Sequence, residues 1–235
     1  MSGTVLKLIA ILAMLSDHIG SVFFPEIICF RLIGRLALPI FVFLLTEGFT
    51  KSSNKIKYAQ RLFSFGVISI VPYSLAFFNK WFCLERQNVL FTLFITLIML
   101  LLFDKIKISN YSKIIKCIVF LGVVTLGIML NFSYAVLCPL LAMVFCEFSN
   151  KKTLLIFGVI TSIIIGYTIE CYFVYNVYNW YLAIIMSIVE LIGIAALIPI
   201  FFYNGKKGNL FPKYFFYLFY PVHLMVIYFV RIYIN

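Results

Sequence analysis

The chain has 235 residues, of which 64% are hydrophobic and 11% charged, and its formal net charge is +11. A soluble domain carries about 25% charged residues and about 45–50% apolar ones, and a chain of this size has too little interior to hide that excess from water. The composition excludes a soluble globular domain and leaves lipid as the solvent. A helical crossing needs roughly 20 apolar residues, so the length accommodates about eight to ten crossings. The predicted fold is all-α: a polytopic transmembrane helix bundle of about nine helices, forming a single integral membrane domain over residues 1–235.

Apolar runs place the helices near 4–24, 29–49, 58–78, 88–103, 114–130, 132–149, 153–174, 180–203 and 213–233. The first run ends in Asp17 and His18 with no small-x-small site after it, which reads as a retained helix and not a cleaved leader. Asn131, Phe132 and Ser133 read as a tight turn between two crossings. Nine crossings with a cytoplasmic N-terminus put Lys51, Lys55 and Lys57, then Lys105, Lys107, Lys113 and Lys116, then Lys151 and Lys152, then Lys206, Lys207 and Lys213 on one side. The other side carries only Lys80 and Arg86, with Arg231 at its edge. That alternation obeys the positive-inside rule at every gap, and the aromatic gap Tyr172 to Tyr181 suits an interfacial belt. The net positive charge is therefore topogenic, and no nucleic-acid partner is expected. The six cysteines form no Cys-x-x-Cys pair and lie near no histidine, so no metal site is expected.

A charge at mid-bilayer costs about 2.5–3.5 kcal/mol on insertion scales, so such residues usually face a bundle interior. Asp17 and His18 fall in the outer half of the first helix. Arg31 and Arg35, one turn apart on a shared face, fall in the outer half of the second. Asn88 opens the fourth helix on the same side, and His223 lies midway along the last. Asp17 could pair with an arginine simply to pin two helices together, and His223 could be one buried imidazole on a carbonyl. Asp17 and His18 project about 100° apart, so a residue orienting His18 must come from another helix. Glu47 and Arg61 lie at the inner ends of neighbouring helices. They could form an ion pair, or join Lys51, Lys55 and Lys57 in a phosphate-binding rim. Intramembrane charge suits a coupled transporter as well as an enzyme, although the charges crowd into the first half without counterparts in the second.

Lys7-Leu-Ile-Ala, Met14-Leu-Ser-Asp17-His18-Ile-Gly20 and Arg31-Leu-Ile-Gly-Arg35-Leu-Ala-Leu-Pro39 resemble the opening of the TraX family. The likeness runs on through Glu47-Gly-Phe49, Tyr58-Ala-Gln-Arg61, Pro72-Tyr73 and Asn88-Val-Leu-Phe-Thr92 to Phe216-Tyr-Leu-Phe-Tyr-Pro221-Val-His223. Ser16 stands where an aliphatic residue is more typical. The family is named for the enzyme that acetylates the N-terminus of F-type conjugative pilin, and is similar to wider groups of membrane acyltransferases. The resemblance implies acetyl-CoA as donor and an exported peptide, pilin-like protein or envelope polymer as acceptor. On that reading His18, with Asp17 and His223, is catalytic, as general base or transient acyl carrier. Arg31, Arg35 or Asn88 stabilises the oxyanion. Arg61, Lys51, Lys55, Lys57 and Glu47 line the donor's phosphate site. The alternative is a proton- or anion-coupled permease.

Overall fold

The computed structural model describes residues 1–106, 111–173, 179–208, 211–212 and 214–234. Lys107, Lys213 and residues 174–178 of the expected aromatic belt lie outside the described residues. The helices are α1 (Gly3–Phe23), α2 (Ile28–Gly34), α3 (Ala37–Lys51), α4 (Lys55–Ile68), α5 (Ile70–Phe78) and α6 (Val89–Lys105). They continue as α7 (Ser112–Met129), α8 (Leu137–Phe148), α9 (Lys152–Phe173), α10 (Trp180–Glu190), α11 (Leu197–Phe201) and α12 (Phe215–Ile234). The one β-type pairing among the described residues is an isolated bridge between Gln87 and Phe132.

Among the described residues, six segments are long and apolar enough to cross a bilayer: Gly3–Phe23, Ile28–Lys51, Ser112–Met129, Lys152–Phe173, Trp180–Phe201 and Phe215–Ile234. The α4–α5 pair makes a seventh if its two bent halves count as one span. The protein is thus an all-helical, multi-pass membrane protein, and nine is an approximate count. The shortfall lies in α8, whose 12 residues reach only about 18 Å, and in α6, whose 17 residues reach about 26 Å, against a hydrocarbon core of about 30 Å.

Three helices expected to be continuous are broken, each for a local reason. The 29–49 run divides at Arg35 and Leu36 into α2 and α3. The 58–78 run bends by 43° at Ser69. There the Ser69 hydroxyl turns back to the Phe65 carbonyl at 2.6 Å, a bond that bends helices. Pro72 follows in the first turn of α5, where its missing N–H costs little. The 180–203 run passes through a 3₁₀ stretch, Leu191–Ala196, directly after Glu190. A fourth difference is at 130–136, which is irregular: Asn131 and Tyr134 adopt φ of 53° and 61°, and α8 begins only at Leu137.

The interior is closely packed, with Leu6, Ile40, Val42, Leu97, Leu141 and Leu224 at no more than 0% exposure. Lipid is as apolar as these side chains, so close fit rather than water exclusion holds the helices together. The α8–α9 contact shows it: a Cβ on Gly158 would lie 2.7 Å from Val144.

One end of the bundle gathers the lysines. The N-terminal amine donates to the Phe202 carbonyl, and the Gly3 and Thr4 amides donate to the Lys206 and Lys207 carbonyls at 2.8 and 3.0 Å. Lys51 donates to the Gly205 carbonyl at 2.6 Å, Lys55 meets Asp104 at 2.6 Å, and Lys152 sits over the Phe201 ring. At the far end Arg231 donates to the Ala76 carbonyl at 3.2 Å. With the lysine end cytoplasmic, Lys80→Cys in a cysteine-free background reacts with a membrane-impermeant maleimide on intact cells, and Lys206→Cys reacts only after permeabilisation. The reverse labelling would invert the orientation.

Candidate functional site

The two histidines of the sequence meet. His18 Nδ1, on α1, lies 2.8 Å from His223 Nε2, on α12. His223 Nδ1 lies 2.8 Å from the Phe219 carbonyl one turn earlier. A carbonyl only accepts, so His223 Nδ1 carries hydrogen. Neutral His223 then has its lone pair on Nε2, and His18 Nδ1 must be the donor to it. His18 is thereby set in the tautomer that leaves the lone pair on its own Nε2. Phe77 of α5 closes against the ring edge-on, with centroids 5.1 Å apart. His18 is partly buried and His223 is 6% exposed.

Beside the pair lies a network of ionic groups. Asp17 pairs with Arg31 at 3.0 Å and with Arg35 at 3.9 Å. Arg35 Nε lies 2.8 Å from Glu190 of α10, and Arg35 Nη1 donates to the Tyr134 hydroxyl at 3.4 Å. Tyr167 of α9 hydrogen-bonds Glu190. Arg86 stands within electrostatic reach of Asp17, Tyr134 and Glu170. Three guanidiniums and three carboxyl groups therefore share one region. A cavity of about 20 Å³ between Gly34, Arg35, Tyr134, Glu190 and Gly193 has room for one water molecule. Gly34 is required by the close approach of α1: a Cβ there would lie 2.3 Å from that of Asp17.

The irregular 130–136 segment enters this region. Non-helical backbone at membrane depth survives only where protein or a watery cavity satisfies it. Here the Gln87 amide donates to the Asn131 carbonyl at 2.9 Å, and the Ser133 hydroxyl donates to the Gln87 carbonyl at 2.8 Å. The Tyr134 backbone N–H donates to Oε1 of Glu170 on α9, a side chain with 0% exposure. The Ala135 backbone N–H also donates to the Glu170 carboxyl group. A non-glycine residue at φ of 61° costs of order 1–3 kcal/mol and persists where its surroundings fix it, often at a functional site.

A family model described as "TraX protein" matches residues 2–231. The chain belongs to the TraX family. It is 33% identical over 246 residues to a probable fimbrial assembly protein FimC, serogroup H1, of Dichelobacter nodosus, covering 94% of this chain and 92% of that one. It is 38% identical over 63 residues to an uncharacterized protein of Rickettsia prowazekii (strain Madrid E), covering 27% of this chain and 23% of the other. No solved structure matches.

The other residues singled out in this TraX chain are held by partners other than the histidines. Asn88 is a fully buried cap of α6: its oxygen accepts from the Leu90 amide at 3.1 Å, and its nitrogen donates to the Gly66 carbonyl at 3.0 Å. An oxyanion role for Asn88 is thus set aside in favour of a structural one. Glu47 pairs with Lys51 at 2.8 Å, four residues on, and not with Arg61. Arg61 lies over the Tyr58 ring and hydrogen-bonds Tyr217. Lys51 and Lys55 each hold a carboxylate, and Lys57 is exposed, so the three do not form a ready phosphate rim. The expectation that charges of the first half lack counterparts also fails, because Glu170 and Glu190 supply them. Each is an isolated acid inside an apolar run, the same costly feature that singles out Asp17. No group of three or more His, Cys, Asp or Glu is placed to hold a metal among the described residues.

Arg35→Leu strands Glu190 beside a lost cation and lowers stability in detergent by about 3–5 kcal/mol. Arg35→Leu with Glu190→Gln recovers part of that loss in the same chemical-denaturation measurement. Gly34→Ala drives a methyl into Asp17 and costs about 1–3 kcal/mol.

Proposed function

We propose that this TraX protein is a membrane-embedded acyltransferase. It moves an acetyl group from acetyl-CoA, delivered at the lysine-rich end, to an amine or hydroxyl acceptor on the far side of the inner membrane. An exported peptide or pilin-like N-terminus is the favoured acceptor, in keeping with the name of the Dichelobacter relative, a probable fimbrial assembly protein. The observation that carries the reading is the ordered Phe219–His223–His18 chain of hydrogen bonds, which presents one imidazole lone pair beside a guanidinium.

An amine must shed a proton to attack. As its nitrogen bonds to the thioester carbon, the N–H proton passes to His18 Nε2. A neutral imidazole suits this role, with an unperturbed pKa near 6.5. The negative charge that develops on the thioester oxygen faces Arg31. Arg31 has Asp17 as its one salt-bridge partner among the described residues and a side chain 34% exposed. Arg35 is held by Asp17, Glu190 and Tyr134 and acts instead as the anchor of the site. Collapse breaks the C–S bond, and His18 returns its proton to the departing thiolate. A transient acetyl-imidazole on His18 remains the two-step version of the same transfer.

A second reading, proton-coupled transport, is favoured by one observation: Glu170 and Glu190 bring buried carboxyl groups from the second half into the same network. The two readings differ in what they consume. Purified full-length protein with acetyl-CoA and a synthetic acceptor peptide releases free CoA. His18→Ala, with helicity intact, lowers that rate about 10²–10⁴-fold. His223→Ala frees the His18 tautomer and lowers it by a smaller factor. An undiminished rate in His18→Ala removes the histidine mechanism. No CoA release, together with proton flux in proteoliposomes, replaces the enzyme with the transporter.

A further inference from the structure

Away from the histidines, near the lysine-rich end, a groove of about 420 Å³ lies between α6, α7, α8 and α9. It is of ligand-binding size. Its walls are apolar, formed chiefly by Leu100, Phe103, Leu140, Met143 and Ile165. On its α7 side, Ile114, Ile118 and Leu121 are exposed at 58%, 63% and 60%, so this flank of the bundle faces the hydrocarbon. An apolar groove in that setting is filled by an acyl chain.

Two charged residues mark where the head of such a molecule lies. Lys116 and Glu147 both line the groove, and both are exposed. Lys116 sits over the Phe103 ring, its nitrogen 5.8 Å from the centroid. The two charges form no ion pair within 4 Å among the described residues. The Thr161 hydroxyl is already spent on the Phe157 and Gly158 carbonyls. The polar edge therefore offers one cation and one anion, separately, above an apolar trough.

We propose that this groove is a binding site for one phospholipid whose head carries a phosphate and a primary ammonium, of the phosphatidylethanolamine class. The phosphate meets Lys116, the ammonium donates to Glu147, and one acyl chain lies against Met143 and Ile165. An anionic head without an amine satisfies Lys116 but repels Glu147. A quaternary-ammonium head has no N–H to donate. The proposal is independent of the acyl-transfer reading.

Native mass spectrometry of the full-length protein tests it, with equal parts of phosphatidylethanolamine, phosphatidylglycerol and phosphatidylcholine added to the micelles. The expected result is retention of phosphatidylethanolamine about tenfold above either competitor. Glu147→Gln abolishes that preference, and Lys116→Ala weakens retention of all phosphate-bearing heads. Met143→Trp fills the groove and removes the bound lipid; Ile165→Trp, from the opposite wall, serves as the second filling variant. Equal retention of the three lipids by the unaltered protein overturns the head-group assignment. Retention unchanged in both tryptophan variants overturns the groove as the site, as does a dimer that these variants dissociate.

Discussion

Arg35 is the residue around which the far half of the bundle is organised. A guanidinium does not give up its proton in a protein, and a charge in the bilayer is costly unless paired. Arg35 is 11% exposed at its side chain and meets Asp17 from α1, Glu190 from α10 and Tyr134 from the 130–136 segment. The break between α2 and α3 falls at this residue, and a 3₁₀ turn follows Glu190 directly. Both irregularities serve the same end: regular helices are interrupted where their polar side chains must converge. The small cavity beside Arg35 is what close packing leaves where a carboxyl, a phenol and a guanidinium share one pocket.

That framework also explains how a histidine couple can sit in an apolar bundle. Asp17 and His18 are neighbours on α1 with diverging side chains. Asp17 turns to the arginines, and His18 turns to α12. A single helix thus contributes to an electrostatic scaffold and to a hydrogen-bonded imidazole pair at once. Neither histidine is left with its polar atoms unaccounted for on the bonded edge, since the Phe219 carbonyl sets the direction of the whole chain of hydrogen bonds. Such fixed orientation is what a base needs before it can accept a proton along one line.

Much of this was legible in the sequence. The apolar runs located the segments, the alternating lysines located the ends, and the cost of intramembrane charge singled out Asp17, His18, Arg31, Arg35 and His223. What escaped has physical reasons. Glu170 and Glu190 carry the same signal as Asp17, but each is a lone acid in a run without motif. Tyr134 gives no local sign, because its importance lies in a left-handed backbone that only the surrounding contacts impose. Asn88 was misread because an amide at a helix start serves equally as a cap or as a donor, and only its two bonds decide. The Glu47–Lys51 pair won over Glu47–Arg61 because residues four apart on one helix need no interhelical geometry to meet.

The couple between His18 and His223 joins residues 205 apart in the chain, and the strap from Gly3 and Thr4 to Lys206 and Lys207 spans nearly the same distance. The couple must wait for the last helix, and the strap for the segment that leads into it. During synthesis α1 enters the bilayer first, yet its histidine has no partner, and its leading residues have no backbone to bind, until almost every other segment has been threaded into place. A chain stopped by a ribosome or clipped before α12 would hold Asp17 and its arginines but not the pair of imidazoles. The order of insertion therefore makes the histidine pair one of the last features of the bundle to form.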